Sequence, residues 1–200
     1  MSWGRSTVMT VRGEILVDSV VDRDTVDQVM GLAGASQFRN TIEPVAFASA
    51  AAFAVAGDNI RFSILTPPEV AREASGQARW LVVTDSRVVE VSGEMRGDWW
   101  SRSTYPQRLV GSIAVSTSPL TRFSGLVFTG PGWIWDPEGP DSVGDFMRDT
   151  TAVLQPVDGS EGLVLWKDYV DSGSVFPKPS DLLTALRWLV TRLSTGREGA

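Results

Sequence analysis

The chain has 200 residues, 42% of them apolar and 21% charged, with a formal net charge of −6; a chain of this profile folds and buries about 70% of its surface. It contains no cysteine and no histidine, which removes disulfides, thiolate chemistry, His/Cys zinc sites and the Ser-His-Asp triad. The acidic balance and the scatter of the 18 basic residues show no run that would build the clustered basic surface nucleic acid requires, so no nucleic-acid partner is expected.

Residues 7–17 (TVMTVRGEILV) read as an extended segment broken at Gly13. Arg5, Arg12 and Glu14 interrupt the apolar stretch that a signal peptide needs, so a cytoplasmic protein is expected. In DRDTVDQVMGLAGA, Asp24 is placed to cap a helix and Asp27 to face its positive end. Val26, Val29, Met30 and Ala33 recur at helical spacing, with Gly34 as the stop. SQFRNTIEP is a connector. Residues 1–40 thus form a strand-helix appendage, and residues 41–200 the main domain.

VAFASAAAF satisfies two patterns. Alanine favours a helix, yet Val45, Phe47 and Ser49 alternate with alanines as a strand requires. Pro44 before the run and Gly57-Asp58-Asn59 after it are turn punctuation, which favours a strand. The full apolar run, Val45–Gly57 between Glu43 and Asp58, is also shorter than the ~20 residues of a membrane-spanning helix, so no membrane insertion is expected. NIRFSIL follows, with Ile60, Phe62 and Ile64 on one side of a strand. TPPEVAREASGQ reads as a loop, with or without one helical turn beginning at Pro68.

WLVVTDSRVVEVSGE, residues 80–94, carries two apolar runs around four polar residues. Trp80–Val83 is apolar on both faces, which implies burial on both sides. The turn holds no Asn-Gly or Gly-X pair, so a primed two-residue turn is not expected. A four-residue loop on a type I turn fits, with Asp85 bonding the backbone locally.

QRLVGSIAVSTS and GLVFTGPGWIWD read as strands, with a turn at Thr129-Gly130-Pro131-Gly132 and Trp133 and Trp135 on one face. DFMRDTTAVL reads as a short helix or a strand, GLVLWKDYV as a strand and SGSVFPKPS as a linker. In the last element Ser180 caps, Asp181 complements the dipole, and Leu182, Leu183, Leu186, Leu189, Val190 and Leu193 form one stripe. Gly196 ends the helix.

The expected fold class is therefore α+β: a strongly bent antiparallel sheet, or partly open barrel, capped by the amphipathic C-terminal helix 181–194. The hairpin resembles the bacterial pleckstrin-homology-like (PH-like) pattern, an apolar strand ending in Thr-Asp-x-Arg and then a second apolar strand. Thr84, Asp85 and Arg87 stand at the matching positions, and VAFASA follows Glu43 as a preceding strand of that family does. The resemblance covers roughly residues 41–195, with Phe53–Ala78 as an insertion. It implies a binding or scaffold fold, and a structural turn in which Arg87 pairs with a nearby carboxylate.

No catalytic set, cofactor or metal site is expected. Asp136, Glu138 and Asp141 lie in a Pro/Gly loop of an acidic segment but match no EF-hand spacing. TGPGW has a proline where a phosphate cradle needs an N–H. Eight tryptophans are the unusual feature, and most belong to a core. Trp99 and Trp100 are adjacent, so an extended chain turns one outward. Trp188 falls about 240° around the helix from Leu182, outside the leucine stripe. These three are the partner-binding candidates of a non-catalytic interaction module that binds protein or itself. The alternatives are a component of a large assembly and an enzyme working with carboxylates alone.

Overall fold

A computed structural model describes residues 8–11, 21–68, 74–98, 112–129, 151–166 and 179–195. The chain divides into two compact units, Met1–Ser118 with Val175–Pro177, and Pro119–Ser174 with Lys178–Ala200.

The first unit is a five-stranded sheet covered by two helices. Its strands are β1 (Val8–Val11), β2 (Ile60–Thr66), β3 (Ser75–Thr84), β4 (Arg87–Arg96) and β5 (Ile113–Pro119, whose last residue belongs to the second unit). They lie in the order β1-β5-β4-β3-β2. Helix α1 spans Arg23–Leu32 and helix α2 spans Ile42–Val55, with a 3-10 turn at Ser36–Phe38 between them.

Helix α1 is capped by Asp22 rather than Asp24. The Asp22 carboxylate accepts from the backbone N–H groups of Asp24 and Thr25 at 3.3 and 3.2 Å and from the Thr25 hydroxyl at 2.7 Å. Two aspartates stand two residues apart, and the one with extended backbone turns its carboxylate onto the open N–H groups. At the other end Gly34 has φ 70°; its N–H reaches Gly31 O and the Ala35 N–H reaches Met30 O, a Schellman closure. Val26, Val29 and Met30 enter the same core as α2 and the sheet, so the segment read as an appendage contributes to that core.

The run read as a strand, Val45–Phe53, is helical and forms most of α2. Its alanine content decides: each alanine is a strong helix former, and Pro44 sits in the first turn, where its missing N–H costs nothing. Ala46, Phe47, Ala48, Ala50, Ala51 and Ala52 are all buried. A helix buried on nearly every side leaves no polar stripe for periodicity to report. Among the described residues, one buried side-chain polar atom lacks a hydrogen-bond partner, the Ser49 hydroxyl on this helix.

In the sheet, Trp80, Val82, Val89 and Val91 meet the helices, with Trp80 opposite Val91 and Val82 opposite Val89. Leu81, Val83, Val88, Phe62 and Ile64 alternate onto the other face and are also buried. The two-sided burial expected for Trp80–Val83 is what the strand has, with exposures of 0–1%. At Gly93 β4 is closely approached by its neighbours. A Cβ there would stand 2.9 Å from the Ser112 carbonyl oxygen and 3.3 Å from the Phe47 ring.

The second unit holds β6 (Phe123–Thr129), β7 (Thr151–Pro156) and β8 (Leu163–Trp166) in an antiparallel sheet of order β6-β7-β8, with helix α3 (Pro179–Thr195) against β6. The run DFMRDTTAVL therefore ends in a strand. Ser180 lies inside α3, one residue past its start at Pro179, rather than capping it. Ala185, Leu186, Leu189 and Leu193 are buried, whereas Val190, read as part of the stripe, is 47% exposed. The buried arc is narrower than the apolar residues on the helix.

The α+β class holds, with two antiparallel sheets and a C-terminal helix. The strands do not close into one barrel: they fall into an open five-stranded sheet and a separate three-stranded one. Gly130–Gly132 of the turn, Trp133, Trp135, the acidic loop at Asp136–Asp141, residues 172–178 of the linker, Gly196 and residues 12–17 lie outside the described residues. Among the described residues no helix is long and apolar enough to cross a membrane.

Candidate functional site at the hairpin turn

The densest polar cluster among the described residues gathers around the opening of β4. Strand β3 ends at Thr84 and β4 begins at Arg87, so Asp85 and Ser86 alone connect them. The connection is shorter than the expected four-residue loop. Neither residue has a positive φ, so this is not a primed turn. Thr84 closes it instead: its hydroxyl oxygen accepts from the Ser86 and Arg87 backbone N–H groups at 3.3 and 3.0 Å.

The Asp85 carboxylate is met by side chains from far earlier in the sequence. The chain entering β2 comes alongside, and Arg61 donates to Asp85 through Nε at 2.6 Å and Nη2 at 3.3 Å. The Asn59 amide adds a bond of 3.1 Å, and the Asp85 backbone N–H returns one to the Asn59 carbonyl at 3.1 Å. Asp85 raises the Arg61 pKa, first through this hydrogen bond and then through its charge.

Asp58 forms the second half of the cluster. Its Oδ2 accepts from the Ser86 hydroxyl, from the Thr84 hydroxyl at 3.0 Å and from Arg87 Nε at 3.1 Å. The Ser86 hydroxyl, followed by Thr84 and Arg87, holds the Asp58 carboxyl below its ordinary value, although its partial burial acts the other way. A carboxylate with three donors and a depressed pKa is a poor general base. The cluster is two nested clasps, Arg61 to Asp85 inside Arg87 to Asp58, which tie the start of β2 to the hairpin tip.

Asp58→Asn removes the charge that draws in Arg87 and is expected to cost about 1–2 kcal/mol, given charge-assisted bonds discounted for partial exposure. Because the folded pKa is lowered, this contribution is fully present above the unfolded value near ~4 and is lost as pH falls through the folded one. The gap between wild-type and Asp58→Asn urea midpoints should therefore be open at pH 7 and close as the pH drops below about 4. A gap unchanged down to pH 2 would show that the Asp58 charge stabilises nothing.

The other feature of the hairpin is a concavity of about 280 Å³ lined by Gln77, Ser92, Gly93, Glu94, Ser112 and Ala114. Glu94 is its one charged group, so no second titratable group converges with it. Among the described residues no group of three or more Asp or Glu side chains is placed to hold a metal ion.

Of the residues singled out in the sequence, Thr84, Asp85 and Arg87 come together in the clasps, with Asp58, Asn59 and Arg61 as partners that local reading missed. Their one sequence signal is the polar run Gly57-Asp58-Asn59 before an apolar strand, which reads only as turn chemistry. Trp188 belongs to the second unit, half-buried on α3. Trp99 and Trp100 lie outside the described residues.

Fold and cluster together define a two-sheet α+β protein whose most concentrated polar residues serve the backbone. The chain matches no protein-family model, no curated protein and no solved structure.

Proposed function

We propose that the chain is a non-catalytic, protein-binding module whose contact surface includes the outward face of α3. One observation carries this reading: α3 is anchored by Ala185, Leu186, Leu189 and Leu193, yet keeps Val190 47% exposed. Trp188 is half-buried on the same helix. Aromatic and Arg side chains around a dry centre are the composition of binding hot spots. The PH-like resemblance supports the same class of function through the hairpin at residues 80–94; it does not extend to a closed barrel, since the strands lie in two sheets.

Trp188→Ala tests the reading. A half-buried indole contributes less to folding than a core one, so truncation should cost about 1–2 kcal/mol of stability rather than the ~3–5 kcal/mol of a core site. A displayed library of random peptides panned against the intact chain should yield binders that Trp188→Ala weakens about tenfold or more. A library with no Trp188-dependent binder would overturn the proposal.

A further inference from the structure

We infer that the concavity on the sheet of the first unit binds an alkylammonium group through Glu94, with Gln77, Ser92 and Ser112 as its hydrogen-bonding rim. This site goes beyond the α3 reading and does not depend on it. The concavity lies on the sheet face turned away from the two helices. Gln77 alternates with Leu81 along β3 and Glu94 with Val88 along β4, whereas Trp80 and Val91 meet the helices. Register puts Gln77 directly opposite Glu94, about 5 Å apart as cross-strand pairs are, with Ser92 next along the same face. Gly93 brings in the third strand. A Cβ there would stand 2.9 Å from the Ser112 carbonyl oxygen and push back the chain entering β5, whose Ser112 and Ala114 complete the lining.

The polar side chains of this unit divide into two kinds. Those at the hairpin tip are spent on one another in the clasps. Those of the concavity are not: among the described residues, Gln77, Ser92, Glu94 and Ser112 make no hydrogen bond or ion pair through their side chains. The cations beside them are already committed. Arg79, opposite Ser92, gives its Nε to Glu90 at 2.5 Å, and Arg96, two positions after Glu94, gives Nη2 to Asp98 at 2.7 Å. Glu94 therefore sets the sign of the charge in the concavity, and it is exposed to an incoming ligand.

The donor set selects the ligand. Each of the four side chains offers an oxygen acceptor, and a positively charged group with several donors uses them together. An ammonium has N–H donors in three directions and no acceptor. An anion would meet the Glu94 carboxylate, and the net charge of −6 opposes it further. Calcium takes about six to eight oxygens, carboxylates foremost, and among the described residues no group of three or more acids is placed to hold a metal ion. Size adds a constraint. The volume of about 280 Å³ is at the lower end of small-molecule sites, typically ~300–1,000 Å³, and has room for an ammonium on a stem of a few carbons. Ala114 gives that stem an apolar contact.

The test is a titration of the intact, isotope-labelled chain, followed through its backbone amide shifts by two-dimensional NMR. The probes are 1,4-diaminobutane and the amide of N-acetyl-lysine, with butanoate and 1-butanol as an anion and a neutral molecule of similar size. The diamine should move the amides of Gln77, Ser92, Gly93, Glu94 and Ala114 saturably, with a Kd on the order of millimolar, as one exposed ion pair allows. Saturation of the same amides by the lysine derivative alone supports the same headgroup, with a protein lysine as its source. Glu94→Gln keeps the shape and removes the charge, and should weaken binding about threefold to fivefold. Ala114→Leu keeps the charge and fills the concavity, and should abolish the saturable shifts, which an isolated surface carboxylate would not require. Glu94 is exposed, so Glu94→Gln keeps the inference open to refutation even where Ala114→Leu fails to fold. Equal shifts with butanoate or 1-butanol, shifts spread over the acidic surface, or unchanged binding in a folded variant would each overturn the inference. None of these outcomes bears on the α3 reading, which Trp188→Ala tests separately.

Discussion

Leu186→Asp is expected to unfold α3 from its sheet, whereas Val190→Asp on the same helix is expected to leave the fold standing. Leu186 is 7% exposed and Val190 47% exposed. Removing the leucine side chain alone costs about 2–5 kcal/mol, and an unpaired buried carboxylate adds several more unless it takes up a proton. Whole domains hold only about 5–15 kcal/mol in reserve, so the second unit should lose its cooperative transition. At Val190 the new carboxylate meets water, and the cost should stay below about 1 kcal/mol. Circular dichroism melts of both variants at pH 7 decide the matter. Similar midpoints for the two would mean that the helix does not bury the Leu186 side.

Trp80→Ala is the corresponding test of the first unit, with an expected cost of about 3–5 kcal/mol in urea denaturation. Trp80 is 0% exposed and stands opposite Val91 on the helix-facing side of the sheet. Its indole Nε1 donates to the hydroxyl of Ser63, itself 0% exposed, at 2.8 Å. The two contributions separate by substitution. Trp80→Phe keeps much of the ring but strands the Ser63 hydroxyl in a dry core, a penalty of roughly 1–3 kcal/mol beyond the lost volume. Adding Ser63→Ala removes the stranded group, and the double variant should recover about 1 kcal/mol or more relative to Trp80→Phe alone. Strict additivity of the two substitutions would show that the indole-hydroxyl bond contributes nothing.

The clasps show how far local reading reaches. Thr84, Asp85 and Arg87 are visible in the sequence as turn residues, and Thr84 does close the turn. The partners of Asp85 and Arg87 lie more than 20 positions earlier, at Arg61 and Asp58. Nothing in the spacing of the turn announces them, because they are brought there by the antiparallel register of β2 on β3. The same distinction holds on α3. The leucine spacing places a helix correctly, but the width of its buried arc is set by what packs against it, which is why Val190 is exposed and Trp188 only half-buried.

By itself the sequence determined the absence of thiol and imidazole chemistry, the two apolar strands on either side of Thr84–Arg87, the first helix and the terminal one. Each of these is written in residue types or in a period of two or 3.6, which neighbours along the chain supply. Tertiary structure decided the rest. Helix α2 is buried nearly all round, so its identity turned on alanine propensity together with packing between α1 and the sheet, and an alternation of small residues carried no information. The division of the strands into an open five-stranded sheet and a separate three-stranded one is a matter of which edges pair. Strand pairing is a choice among distant segments with similar apolar faces, settled by the free energy of the assembled core rather than by any one segment.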